Sequence, residues 1–159
     1  MPTTTACLWF DGQAEQAAQQ YTAIFPNSRI TGTTRVGPGG PGTDGDVLTV
    51  DFTLDGQQFM GLNGGPQFSF TEAISFQIPC ADQDEVDHYW DRLCDGGQPG
   101  QCGWLKDRFG VSWQVVPTAL PELLGDPDPG RAQRAMQAML SMGKLDIAVM
   151  RDVADRVPV

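Results

Sequence analysis

The sequence holds a single histidine, His88, and no two cysteines in Cys-x-x-Cys spacing, so the commonest metal-binding and redox motifs are missing. Basic side chains are scarce too. Ten Lys and Arg stand against twenty Asp and Glu, for a formal net charge of −10. An acidic chain without a Lys/Arg run repels phosphate backbones and anionic headgroups, so neither nucleic acid nor a membrane surface is expected as a partner. No apolar run approaches the roughly 18–20 residues that span a bilayer. The opening Met1-Pro2-Thr3-Thr4-Thr5 lacks a basic segment and a long apolar segment, so no secretory signal is read and the expected location is cytoplasmic. The cysteines are Cys7, Cys80, Cys94 and Cys102, three of them inside apparent strands or helices, and they are expected as free thiols in a reducing compartment.

What is present suits one domain, or one built from two fused halves: 159 residues, of which 40% are hydrophobic. Residues 4–10 read as a mostly buried strand, broken by Asp11-Gly12, which can also cap a helix. Ala14, Ala17, Ala18, Tyr21, Ile24 and Phe25 then follow helical i, i+3, i+4, i+7 spacing as far as Pro26-Asn27. A strand is expected over 28–36, and the Gly/Pro-rich 37–45 can only be a loop. In 46–54 Leu48, Val50, Phe52 and Leu54 alternate with more polar residues, as in a half-buried strand. Asp55-Gly56 signals a tight hairpin into a fourth strand over 57–62. Residues 63–66 (Asn-Gly-Gly-Pro) break the pattern and mark a seam.

The order then restarts. A strand is expected over 72–78, and Asp82 with Glu85 makes a capping box for a helix with Val86, Tyr89, Trp90 and Leu93 on one face. Gly96-Gly97 closes that helix. Short strands are expected around 98–106, and a last one over 111–116 ends at Pro117. The predicted architecture is α+β: two tandem β-α-β-β-β modules, the first at 1–63 and the second at 70–117, followed by a helical tail over 118–159. In the tail Asp128-Pro129 starts a helix whose apolar face is Ala132, Ala135, Met136, Met139 and Leu140. Leu145, Ala148, Val149 and Val153 continue as a second short helix. The repeat is one of pattern rather than of letters.

Residues 8–17 (LWFDGQAEQA), 102–117 (CGWLKDRFGVSWQVVP) and the tail motif Gly143-Lys144-Leu145-Asp146 resemble PhnB-like proteins of the vicinal-oxygen-chelate (glyoxalase/bleomycin-resistance/dioxygenase) superfamily. The resemblance implies that each module curls into a partial barrel, that the two enclose a cleft in a single domain over 1–159, and that the chain is a homodimer. It also implies, for the enzymes of the superfamily, a divalent metal held by residues from the first and last strand of each module. The positions offered here are Thr5 or Cys7, Met60 or Leu62, Glu72 or Ile74, and Gln114, with Gln114 where metal-using members carry Glu. Such donors suit a divalent ion poorly, so no metal and no other cofactor is expected.

The branch is often labelled 3-demethylubiquinone-9 3-methyltransferase. A methyltransferase normally runs a glycine loop from a strand into a helix, whereas 37–45 contains two prolines and runs into another strand. Asp82, Asp84, Glu85 and Asp87 fail the calcium-loop template and read as carboxylates at a helix start. His88 reads as an exposed helix residue. Cys102 and Lys106, four apart on an apparent strand, would share a face. The aromatics Trp9, Phe10, Phe76, Trp104 and Trp113 fall on predicted strands, where a ligand cleft and plain core packing account for them equally. Alternation puts Trp113 and Gln114 on opposite faces, and the resemblance favours Gln114 towards the cleft. The expected function is binding of a small molecule, for sequestration or sensing, by Trp9, Met60, Phe76, Trp104, Lys106 and Gln114. An enzyme with a modified metal site is the alternative, with a lyase, isomerase or dioxygenase-like reaction. The loop over 37–45 reads equally as a lid or an idle connection.

Overall fold

The computed structural model describes residues 1–157. It has the predicted α+β architecture. The elements are β1 (Ala6–Phe10), α1 (Ala14–Ile24), β2 (Arg29–Arg35), β3 (Val47–Leu54), β4 (Gln57–Asn63), β5 (Ser75–Cys80), α2 (Gln83–Cys94), β6 (Gln98–Pro99), β7 (Trp104–Lys106), β8 (Ser112–Pro117), α3 (Ala119–Leu124), α4 (Pro129–Leu140) and α5 (Ile147–Asp155). They form two compact units, Met1–Phe70 and a second beginning at Thr71. The seam therefore falls past the Asn-Gly-Gly-Pro break, because the segment after it folds back on its own unit: Phe68 lies edge-on to Trp9 and Phe70 to Phe10, at centroid distances of 4.9 and 5.2 Å.

In the first unit the sheet order is β1-β4-β3-β2, with β1 and β4 parallel and the other pairs antiparallel. Strand alternation sorts its residues cleanly. Leu8, Phe10, Val50, Phe52, Leu54 and Phe59 are buried, as are Ala14, Ala17, Ala18, Tyr21 and Ile24 of α1. Gly61 lets the helix approach β4, since a Cβ there would lie 3.1 Å from that of Ala14. The start of α1 is not capped by Asp11. Gln13 holds the cap position without a side-chain bond, and the Ala14 N–H donates to Asn63 Oδ1 at 2.9 Å, while Asn63 Nδ2 donates to Val47 O. A cap borrowed from 49 residues away has no local sequence signal. Asp55 and Gly56 both take positive φ, 46° and 83°, as a type I′ hairpin turn demands.

In the second unit the order is β5-β8-β7-β6, again with a parallel pair (β5, β8) beside antiparallel ones. The first strand is Ser75–Cys80, not 72–78, so Glu72 and Ile74 precede it and Ile74 is exposed. Asp82 caps α2 by accepting from the Glu85 N–H, and Glu85 answers by accepting from the Ala81 N–H. Ile78, Leu105, Trp113 and Val115 are buried, as are Val86, Trp90 and Leu93 of α2. The turn between β7 and β8 is organised by Asp107, only 3% exposed. Its Oδ1 accepts from the Phe109 and Val111 N–H groups and its Oδ2 from the Trp113 indole N–H, at 2.9, 3.0 and 2.9 Å.

The tail helices share one core of Leu120, Leu123, Ala135, Ala138, Leu145, Met150 and Ala154, with Met139 and Met142 packed on it. Two expectations about the tail need correcting. Met136 and Leu140 are exposed while Ala135 and Ala138 are buried, so the apolar face of α4 is narrower than read. In α5 the buried residues are Ile147, Met150 and Ala154 rather than Ala148 and Val149. Gln83 ties α2 to the tail, donating to Leu145 O at 3.0 Å and accepting from the Ile147 N–H at 2.9 Å. No helix is long and apolar enough to cross a membrane among the described residues.

Candidate functional site

The same alternation that buries one face of each sheet leaves the other face to chemistry. In the first unit Cys7 pairs with Met60 and Trp9 with Leu62, and all four lie on the face opposite Leu8 and Phe10. Met60 and Trp9, both expected as ligand contacts, thus share a face and are half-buried. The polar edge of Trp9 is already committed: its indole N–H donates to Gly65 O at 2.8 Å. Its ring sits where a side chain at Gly64 would be, a Cβ there lying 2.3 Å from Trp9 Cζ2. Trp9 therefore holds the 64–68 segment in place.

In the second unit Lys106 pairs with Ser112, Ser112 with Ser75, and Trp104 with Gln114. Register and alternation put these five side chains on one face. Phe76 and Trp113 lie on the other, their rings 5.4 Å apart. Phe76 is thereby separated from the Gln114 face on which a shared ligand site would need it. Gln114 Nε2 donates to Ser75 Oγ at 2.8 Å. Lys106 is ion-paired with Glu72, and the Glu72 carboxyl is held below its ordinary range by that hydrogen bond. A pocket of about 180 Å³ opens here, walled by Glu72, Gln98–Pro99, Gly100, Trp104, Lys106 and Ser112. Ser112 is 1% exposed, and among the described residues its hydroxyl is the buried side-chain polar atom with no hydrogen-bond partner. Ser112 was missed from the sequence, although its alternation with Gln114 puts it on the same face. That its hydroxyl lacks a partner is a tertiary property.

The donor set does not suit a divalent ion. The first unit offers a thiol (Cys7) and a thioether (Met60), which are soft ligands, and the second a carboxylate tied to an ammonium and an amide tied to Ser75. Among the described residues no three His, Cys, Asp or Glu gather as metal ligands. His88 is half-buried rather than exposed, with its ring edge-on to Tyr89 at 4.9 Å. Cys102 does not share a strand face with Lys106. It sits in a turn at φ 58°, and its N–H donates to Met142 O. The cysteines are free thiols. Burial pushes the Cys80 thiol up to about 12 and the Cys94 thiol up to about 11. Cys80 is expected to resist an aromatic disulfide reagent at pH 8 until the chain is unfolded; rapid labelling in the native protein would contradict its burial.

A larger hollow, about 580 Å³, lies in the first unit beside the 37–45 loop and is lined by Asp11, Glu15, Asp46 and Asn63 among others. The loop that walls it is fastened at its base by Val36 N–H to Asp46 O and Gly45 N–H to Val36 O, both 2.8 Å.

Residues 2–116 match the family described as 3-demethylubiquinone-9 3-methyltransferase, so the tail helices lie beyond the matched span. The PhnB protein of Bacillus cereus is 34% identical, with a TM-score of 0.68 over 74% of this chain and 100% of its own. A protein of Pseudomonas aeruginosa at 17% identity (TM-score 0.63, 74% of this chain and 98% of its own) shares the fold. So does the fosfomycin resistance protein FosX of Listeria monocytogenes at 19% identity, with a TM-score of 0.51 over 76% of this chain and 94% of its own. Among curated proteins none matches. The chain belongs to the 3-demethylubiquinone-9 3-methyltransferase family, within the vicinal-oxygen-chelate superfamily.

Proposed function

We propose that the protein binds a small molecule, for sequestration or sensing, in the pocket on the β7–β8 face of the second unit, and that it does so without a metal. The observation that carries this reading is the buried Ser112 hydroxyl, which lacks a partner and belongs to a residue in the wall of a pocket also lined by Trp104 and Lys106. A few polar groups converging beside apolar surface are what orient a small ligand. The pocket's size suits one ring: an apolar cavity of about 150 Å³ holds benzene.

Binding is favoured over catalysis by the state of the titratable groups. Glu72 and Lys106 are paired with each other. A carboxyl held below its usual range stays ionised at neutral pH, so it has no proton to give and little basicity to offer. Methyl transfer, the activity in the family's description, finds little support in the fold. The glycine-rich loop joins β2 to β3, an antiparallel pair, rather than running from a strand directly into a helix as a nucleotide-binding loop does.

Titration of the ¹⁵N-labelled protein with single-ring fragments tests the reading. Saturable shifts are expected at the Trp104 indole and the Lys106 and Ser112 amides, unchanged by a chelator. Shifts confined to other regions, or shifts that require added manganese or zinc, would overturn it.

A further inference from the structure

We infer that the ligand of this pocket is a small carboxylate, received jointly by the Lys106 ammonium and the Ser112 hydroxyl, and that Glu72 occupies the Lys106 position until the ligand displaces it. The inference rests on the binding reading above and adds the ligand's chemistry to it.

Lys106 and Ser112 stand directly opposite each other on β7 and β8. Cross-strand partners bring their Cβ atoms within about 4.5–5.5 Å, so a carboxylate held at Lys106 lies beside Ser112, whose hydroxyl is closed off while Glu72 is in place. One of the two already holds a carboxylate, that of Glu72, and the other holds nothing. A ligand carboxylate would therefore reproduce the existing charge-assisted bond and add a second one from Ser112.

Which partner of the ion pair gives way is decided by where each is mounted. Lys106 belongs to a strand bonded to neighbours on both sides, and its side chain is 36% exposed. Glu72 precedes β5 in a segment outside any strand or helix, and its side chain is 59% exposed. The movable partner is thus the anion, and what it vacates is a cationic site. A cationic ligand would instead have to dislodge the strand-borne lysine. Trp104 also lines the pocket, so an aromatic carboxylate is a suitable probe. With a net charge of −10 the chain does not draw anions from a distance, so recognition falls to these two local donors.

Benzoate and its neutral isostere benzamide are the probes, titrated into the wild type, Glu72→Gln, Lys106→Met and Ser112→Ala proteins, with Trp104 indole shifts as the readout. Benzoate is expected to bind the wild type more tightly than benzamide does. Removing the competing carboxylate in Glu72→Gln should tighten benzoate roughly three- to fivefold, in keeping with a solvent-exposed ion pair. Lys106→Met should lose the preference for benzoate, and Ser112→Ala should weaken benzoate. Equal affinity of the wild type for both probes, or an unchanged benzoate affinity in Glu72→Gln, would overturn the carboxylate assignment while leaving the pocket as a binding site. If neither probe moves the Trp104 indole in any variant, the pocket reading falls with it.

Discussion

Replacing Asp107 with Ala is expected to lower the unfolding free energy by about 3–5 kcal/mol, a large share of the roughly 5–15 kcal/mol available to a domain. The carboxylate is 3% exposed and accepts from two backbone N–H groups and the Trp113 indole. Truncation takes the acceptor away from all three donors at once, and water cannot replace it around the buried Val111 and Trp113. Asn is no remedy. If its amide oxygen takes the two backbone donors, its NH₂ group faces the indole N–H, donor against donor. Asp107→Asn should therefore also lose roughly 2–3 kcal/mol. Denaturant unfolding followed by tryptophan fluorescence checks both. A loss below about 1 kcal/mol for Asp107→Ala would mean that the turn keeps its shape without this acceptor.

Asp107 also shows where sequence reading reaches its limit. It stands within the stretch over 102–117 that carries the family resemblance, yet the letters alone give it no role. In the fold, much of that stretch serves structure. Asp107 builds the turn, Trp113 and Val115 fill the core, and Gly103 keeps the chain close to β8 and Leu145. Trp104, Lys106 and Gln114, with the buried Ser112, are left for the opposite face. Alternation alone was enough to separate Trp113 from Gln114. It was not enough to remove Phe76 from the site, because that requires the pairing of β5 with β8.

Local periodicity made most elements legible. The apolar face of α1, the Asp55-Gly56 hairpin and the Asp82 cap of α2 are each written within a dozen residues. Two departures trace to proline. Pro79 lies inside β5, which is tolerable because β5 is an edge strand of its sheet. The helix α3, which no periodicity singles out within the expected helical tail, contains Pro121, which sits in its first turn, where no intrahelical N–H bond is lost. The phase of α5 was misjudged because in nine residues apolar side chains occur all round, and only packing on Leu120, Ala135 and Leu145 selects a face. The misplaced Cys102 is a different case: its positive φ belongs to a turn fixed by hydrogen bonds to the tail, and nothing adjacent in sequence announces it.

Gly97 gives the second large expected effect, and its reason differs from that of its neighbour. Gly96 takes a positive φ of 75°, the left-handed conformation that ends α2. Gly97 is required by proximity: a Cβ there would lie 2.2 Å from Lys106 O and 2.8 Å from the carbonyl carbon of Asp107. Both contacts are with backbone, so no side chain can rotate aside. The chain must move away from β7, just where β6 begins its pairing of Gln98 with Lys106. Gly97→Ala should lose on the order of 3 kcal/mol, the upper end for overpacking. Gly110→Ala is the comparison. Gly110 also takes a positive φ, 89°, but a Cβ there meets nothing within 4 Å, so only backbone strain of about 1–2 kcal/mol is expected. If Gly97→Ala proves no more harmful than Gly110→Ala, the backbone contact is looser than these distances require. Displacement of Lys106 would also separate its ammonium from Ser112, so folded Gly97→Ala protein should bind benzoate more weakly, whereas Gly110→Ala should bind it as the wild type does.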